Sequence, residues 1–366
     1  MEIKKVIISG GGTGGHIFPA IAIANQLKKE FPNIEILFIG AEGKMEMTKV
    51  PEAGYEIVGL WISGLQRRLT LKNLTLPFKI IASLFKARKI IKKFNPDVVI
   101  GVGGYASAPT LKIASMLKIP TIVQEQNSFP GKTNKILSKT VSKVCVAYEN
   151  LERFFPKEKI ELTGNPVRQS VVEIEGKRTE GYSFFGLSPD KKTILVVGGS
   201  LGAKTLNESF VNHLNELQKH NYQLIWQCGR YQYEEMKTIT DELQLEGVVL
   251  CKFINRMELA YAAADLIVSR AGAIAISELC IIGKPTILVP SPNVAEDHQT
   301  KNAMALVKDD AAILIKDSVA RKELFPEVIA LFNDEKKRMQ LAENIKLKAI
   351  RNADERIVNV VKNCVK

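Results

Sequence analysis

Short apolar, β-branched runs punctuate this chain and are separated by longer stretches whose apolar positions recur every three to four residues. "VIIS", "IEILFIG", "DVVIGVGG" and "PTIVQE" stand in the first half, and "TILVVGG", "QLIWQC", "DLIVS" and "PTILVP" in the second. Such alternation predicts βαβ units, with parallel sheets buried on both faces by helices, so the fold class is α/β. Leu206, Phe210, Leu214 and Leu217 keep the 3.6-residue period and predict one helix after "TILVVGGSLGAKT".

The periodicity lapses in "VVEIEGKRTEGYSFFGLSPDKK", residues 171 to 192, where charge, glycine and proline gather. A domain boundary is expected just before or within it. Beyond it the opening theme of strand, glycine-rich turn and helix returns. Two doubly wound halves of this kind bind ligands at the carboxyl ends of their strands. A length of 366 residues suits two cores better than one.

Composition narrows the class. Hydrophobic residues at 46% and charged residues at 25% describe a globular chain and exclude a disordered or fibrous one. No apolar run approaches the roughly 18 residues of a spanning helix. Lys4 and Lys5 precede an apolar stretch too short for a signal peptide, so a cytoplasmic chain is expected. Cys145, Cys228, Cys251, Cys280 and Cys364 show no CxxC spacing and are expected to be reduced, mostly buried small hydrophobes, not a disulfide framework or a zinc site.

The net charge of +12, from 51 Lys and Arg against 39 Asp and Glu, calls for an anionic partner. Between Glu56 and Asp97 there is no acid, while Arg67, Arg68, Lys72, Lys79, Lys86, Arg88, Lys89, Lys92 and Lys93 all fall there. Nucleic acid would explain the charge, but no helix-turn-helix, zinc or RNP-type signature accompanies it, so none is expected.

Chemistry concentrates in the turns. In "GGGTGGHIFPAIAIA", Gly10, Gly12 and Gly15 fit GxGxxG between a strand and a helix. Glycines there let amides approach a phosphate at a helix start, so the loop is expected to bind an anionic or diphosphate-like group. His16 directly follows the last glycine. The helix dipole disfavours its imidazolium, which would leave a neutral ring able to accept a proton; the alternative is a capping or core histidine. A dinucleotide fold would need an acid after the second strand, and Glu42 is only a loose candidate.

The second loop, "GGSLGAKT", carries Ala203 where a P-loop needs its second glycine, before Lys204 and Thr205. An ATP-hydrolysing P-loop is therefore rejected, though Ser200 and the following amides could cap a diphosphate. "GVGGYASAP" with Tyr105 and Ser107, "QEQNSFPG", and "TGNPVR" with Asn165 and Arg168 place polar groups at strand ends, where either ligand contacts or ordinary turns would put them. In "SRAGAIAISEL", Glu278 at a helix start could accept from two ribose hydroxyls or merely complement the dipole. His298 and Gln299 open the next helix. The chain has no Asp-x-Asp, so diphosphate charge would be met by amides, Arg168 and helix dipoles.

Taken in order, "GGGTGGHIFPAIAIA", "GVGGYASAP", "QEQNSFPG", "TGNPVR", "VVGGSLGAKTLN", "SRAGAIAISEL" and "AEDHQTKNA" resemble the MurG family of N-acetylglucosaminyltransferases over residues 1 to 310. The resemblance implies a GT-B fold of two Rossmann-like, doubly wound domains facing a central cleft. It implies an acceptor and membrane-facing domain at 1–165, a UDP-GlcNAc-binding domain at 166–345, and a helix at 346–366 packing back on the first. The implied reaction is inverting transfer of GlcNAc from UDP-GlcNAc to the MurNAc 4-hydroxyl of undecaprenyl-diphosphate-linked lipid I, giving lipid II, with no cofactor and no essential metal.

Carried over by position, Thr13, Gly14 and Gly15 would touch the donor, Asn127 its sugar, and Arg168 and Ser200 its diphosphate. Ile254 and the run Ala273, Ile274, Ala275, Ile276, Ser277 and Glu278 would cradle uridine, with Glu278 on the ribose and Gln299 on GlcNAc. Gly12, Gly103, Gly104, Tyr105 and Glu125 would face the acceptor, and His16 would be the base. Leu201 stands where members carry Gln, and His298 where some do.

From Pro77 to Phe94, Phe78, Ile81 and Phe85 form an apolar stripe beside Lys79, Lys86 and Arg88, and Lys72, Lys79, Lys86 and Lys93 recur every seven residues. That pattern suits an anionic membrane surface and a peripheral protein at its cytoplasmic face. The alternative is a core-facing stripe with a solvated basic face. Two other functions remain: a dinucleotide-dependent oxidoreductase, and a non-catalytic nucleotide-sugar-binding peripheral membrane protein.

Overall fold

Parallel strands at the centre of two separate sheets carry the most deeply buried side chains of the chain. A computed structural model describes residues 3–64 and 75–365. It divides into two units, Met1–Val167 together with Arg351–Lys366, and Arg168–Ile350.

In the first unit β1 (Lys5–Ser9), β2 (Glu35–Ala41), β3 (Glu56–Leu60), β4 (Val98–Gly101), β5 (Thr121–Glu125), β6 (Lys143–Val146) and β7 (Ile160–Leu162) form one sheet in the order 3-2-1-4-5-6-7. Every pairing is parallel. Ile7, Ile8, Val99, Ile100, Ile122 and Val123 are fully buried although neighbours face opposite sides, because helices cover both faces. Helix Gly14–Glu30 lays Ile17, Ala20, Ile23, Ala24 and Leu27 on one face, and the C-terminal helix Ala353–Val365 joins that core through Ile357, Val358 and Val361. Helix Leu76–Phe94 reaches the opposite core with Ala87 and Ile91.

The second unit repeats the topology. Strands β8 (Lys192–Val197), β9 (Tyr222–Gln227), β10 (Val248–Cys251), β11 (Leu266–Ser269), β12 (Thr286–Leu288) and β13 (Ile313–Leu314) run 10-9-8-11-12-13, all parallel. In both sheets the order reverses beside the first strand, between β1 and β4 and between β8 and β11. Each glycine loop therefore leaves its strand at the switch point, where such sheets bind ligands.

Sequence patterning missed β3, β6, β7, β10 and β13, of which β7, β10 and β13 contain no fully buried residue. The single helix expected from Leu206 to Leu217 is two, Lys204–Val211 and Leu214–Lys219. His213 explains the break. Its ring nitrogen lies 2.9 Å from the Ser209 carbonyl, the partner its own amide would have used, and that amide bonds to Phe210 O at 3.0 Å instead. Leu206, Phe210, Leu214 and Leu217 are all buried regardless. Within the aperiodic stretch, helix Arg178–Phe185 buries Tyr182 and Phe185, and Gly181 lies so close to Leu259 O that a side chain there would clash. All five cysteines are free, three buried and two half-buried.

Candidate active site

The first glycine loop spends its amides on the protein. Gly10 N–H donates to Ile39 O (3.2 Å), Gly11 N–H to Gly103 O (3.3 Å) and Gly12 N–H to Glu46 Oε2 (2.8 Å). The amides of Gly10, Gly11 and Gly12, expected to approach a phosphate, are thus bonded within the protein. A helix begins with donors that have no partner inside it, and in helix Gly14–Glu30 those are the amides of Gly14 and Gly15, beside exposed Thr13.

His16 sits in the same first turn, half-buried. Its Nδ1 lies 3.0 Å from Gly11 O and 3.5 Å from Thr13 Oγ1. A proton placed on Nδ1 to satisfy the carbonyl makes Nε2 the acceptor of the ring. Gly103 and Gly104, both at positive φ (96° and 85°), leave room for this array. A Cβ on Gly103 would come within 2.8 Å of Nε2, and one on Gly104 would overlap Gly11 O.

Glu46 went unnoticed in the sequence. It is 1% exposed and its carboxylate also accepts from Ala41 N–H at 3.0 Å. Its one signal was an acid four residues before Val50, the other buried position of helix Glu46–Glu52.

At the end of β5, Glu125 is equally buried and organises the loop that follows. Oε1 accepts from Asn127 N–H (3.0 Å) and Asn127 Nδ2 (3.1 Å); Oε2 accepts from Gly131 N–H (3.1 Å) and Asn134 Nδ2 (2.8 Å). Four donors on two oxygens make Glu125, which is expected to face the acceptor, a scaffold for Asn127. Gln124 Nε2 donates to Asn165 Oδ1 (2.9 Å) and Asn165 Nδ2 to Gln126 O (3.0 Å), tying "QEQN" to "TGNP". Tyr105 is half-exposed, its ring packed against Gly64.

In the second unit, Gly202 (φ 90°) and Gly229 (φ 80°) let the loop after β8 pack on the end of β9. Ser200 and Leu201 are exposed, and Ser200 O accepts from Arg230 N–H at 3.4 Å. Ala203 holds φ −137°, so glycine is not required there. Lys204 reaches Glu208 at 3.7 Å and Thr205 Oγ1 donates to Asp317 at 2.9 Å, so neither behaves as a P-loop residue.

Glu278 is the sixth residue of helix Ala273–Ile282, well inside it and not at its start, so the dipole does not place it. Burial pushes its carboxyl up to about 7, against the opposing charge of Arg168 and a hydrogen bond from Tyr261. The Tyr261 hydroxyl donates to Oε2 at 3.2 Å. Ala273, Ile274 and Ala275 are half-buried at the helix start, Ile276 is buried, and Ser277 donates to Ala273 O at 3.1 Å. Ile254 is buried and its amide donates to Gln227 Oε1 at 2.9 Å. Gln299 Oε1 accepts from Ser291 N–H at 2.8 Å, which commits the oxygen and makes its –NH2 the group for a ligand.

Helix Leu76–Phe94 turns Ser83, Ala87 and Ile91 inward, whereas Phe78, Ile81 and Phe85 are 70%, 54% and 72% exposed. The apolar stripe therefore does not face the core, and that alternative fails. Lys79 Nζ donates to Ser63 Oγ (3.1 Å) and lies over the Trp61 ring; Arg88 is exposed. Lys86 pairs with Glu42 at 2.9 Å, both side chains half-exposed. Arg67, Arg68 and Lys72 lie outside the described residues. Among those described, no helix is long and apolar enough to cross a membrane.

Residues 6–146 match the glycosyltransferase family 28 N-terminal domain and residues 193–357 its C-terminal domain. The chain is 55% identical to the UDP-N-acetylglucosamine–N-acetylmuramyl-(pentapeptide) pyrophosphoryl-undecaprenol N-acetylglucosamine transferase of Flavobacterium psychrophilum, covering 99% of this chain and 98% of that one. It is 54% identical to the transferase of the same name from Parabacteroides distasonis, over 99% and 98%. The crystal structure of Acinetobacter baumannii MurG superposes with a TM-score of 0.80 at 30% identity, covering 98% of this chain and 99% of that one. With these likenesses and a glycine loop at each of its two switch points, the chain belongs to the MurG family of GT-B N-acetylglucosaminyltransferases.

Proposed function

We propose that the protein transfers GlcNAc from UDP-GlcNAc to the 4-hydroxyl of the MurNAc residue of lipid I, releasing UDP and forming lipid II for peptidoglycan. The likeness of 55% over 99% of the chain to transferases named for this reaction carries the reading.

His16 Nε2 takes the proton of the acceptor hydroxyl. The oxygen so freed bonds to C1 of GlcNAc from the face opposite the diphosphate, and the C1–O bond to UDP breaks with its electron pair leaving on the phosphate. Inversion follows. The helix start after Ser200 and the guanidinium of Arg168 receive the departing charge, a term that typically contributes ~10² to 10³ in rate. Glu278 holds the ribose hydroxyls, with Ile254 and Ala273 to Ser277 around the base; Gln299, Asn127, Thr13, Gly14 and Gly15 serve the sugar. Gly103, Gly104 and Tyr105 face the lipid diphosphate, and Glu125 acts through Asn127. No cofactor is assigned.

The outward stripe of Phe78, Ile81 and Phe85, with Lys79, Lys86 and Arg88 on the same helix, docks the protein peripherally on the anionic cytoplasmic face of the membrane, where lipid I resides.

The test is UDP release from UDP-GlcNAc with and without a lipid I analogue, in metal chelator. Acceptor-dependent release is expected; UDP-GlcNAc binding without release would favour a non-catalytic sugar-nucleotide binder. His16→Ala should lower turnover by ~10² or more and leave donor affinity in place. An unchanged rate removes His16 from the chemistry.

A further inference from the structure

The Gly11–Gly12 peptide unit is gripped at both ends. Its carbonyl, Gly11 O, lies 3.0 Å from His16 Nδ1, and its N–H, on Gly12, donates to Glu46 Oε2 at 2.8 Å. A trans peptide is planar, with its N–H and C=O pointing in opposite directions, so carboxylate, peptide and imidazole form one chain of hydrogen bonds. A buried carboxylate that accepts a peptide N–H polarises that peptide and strengthens its carbonyl as an acceptor.

The surroundings are cut to fit. Glu46 is 1% exposed, and Ala41 N–H holds its other oxygen at 3.0 Å. Gly11 at φ 147° has no side chain because a Cβ would overlap the Glu46 carboxylate; a Cβ on Gly104 would overlap Gly11 O; one on Gly103 would press on Nε2 at 2.8 Å. Three glycines thus leave space for this array.

We infer that Glu46 is a positioning residue for His16, acting through the Gly11–Gly12 peptide to hold the ring in the Nδ1–H tautomer with Nε2 as the proton acceptor. It never touches substrate. The inference deepens the reading of His16 as the base, and its own observable, the tautomer, does not depend on that reading.

The experiment uses the full chain carrying ¹⁵N-labelled histidine, whose four residues make assignment by a His16→Gln control direct. Long-range ¹H–¹⁵N spectra of the unaltered protein should show His16 protonated on Nδ1, and the Gly12 amide proton shifted downfield by its carboxylate partner. An Nε2–H ring overturns the inference without any variant. In Glu46→Gln the tautomer should become mixed and kcat fall about tenfold or more, with KM for UDP-GlcNAc within about twofold. A folded Glu46→Gln with tautomer and kcat unchanged also overturns it. Should His16→Ala keep full turnover while Glu46→Gln still alters the tautomer, the base reading fails and the coupling of Glu46 to His16 stands.

Discussion

The hydroxyl of Tyr261 donates to Oε2 of Glu278 across 3.2 Å, joining helix Met257–Ala263 to the middle of helix Ala273–Ile282. Burial and the neighbouring carboxylate raise Tyr261 well above the usual phenol range, so it remains a donor at every working pH. Glu278 is the titrating partner.

Its carboxyl is raised from 4.5 to about 7, so between those values the folded chain binds a proton that the unfolded chain has released. By linkage, this group's contribution to stability falls as pH rises from about 4.5 through 7. With the ribose on Glu278 as proposed, its hydroxyls would donate better to the ionised form. UDP affinity measured by calorimetry should therefore tighten between pH 6 and pH 8, and Glu278→Gln should flatten that profile. Tyr261→Phe removes a donor that favours the carboxylate and should weaken UDP binding near neutrality by about fivefold, the equivalent of one net hydrogen bond. Equal affinity in the variant would show that the tyrosine does not support this carboxylate.

Gly103 and Gly104 are neighbours with different neighbourhoods. Gly104→Ala drives a Cβ into a backbone carbonyl at positive φ and should cost about 2 kcal/mol or more in a thermal or urea melt. Gly103→Ala carries the same positive-φ strain, but its Cβ meets the edge of the His16 ring, a side chain that can turn aside, and not a backbone carbonyl. It should lose turnover out of proportion to stability. The reverse ranking would mean His16 is not held by this loop.

Glu125→Ala strands four donors of the 126–134 loop and should destabilise the protein by about 3 kcal/mol, with loss of GlcNAc transfer. Glu125→Gln presents an –NH2 to one pair of those donors and should fall between. A neutral Glu125→Ala in urea melts would remove its scaffold role.

Phe78, Ile81 and Phe85 changed together to Ser should reduce binding to anionic vesicles while leaving the melting temperature within a degree or two, because none contributes to the core. Lys79, Lys86 and Arg88 changed together to Glu should reduce vesicle binding and remove its salt dependence. Vesicle binding that survives both sets in a sedimentation assay would sink the membrane assignment.

The amino-acid order alone determined the α/β class, the two glycine loops and the residues of the motifs, because strand patterning, turn glycines and helix starts are written over short windows. His16, Arg168 and Glu278 were legible for that reason. Only the tertiary structure decided which groups each meets. Periodicity reports that a side chain is inward or outward, not which polar group meets it there. Glu46 looked like one acid in a short helix, yet the parallel register of β1, β2 and β4 brings it beneath Gly12 and Ala41. The same packing sets four donors of the following loop around Glu125. The stripe on helix Leu76–Phe94 was visible as apolar, but which way it faced depended on Ser83, Ala87 and Ile91 filling the core instead. Local sequence carries propensity and period; the pairing of buried charges with donors far along the chain is settled only when the elements pack.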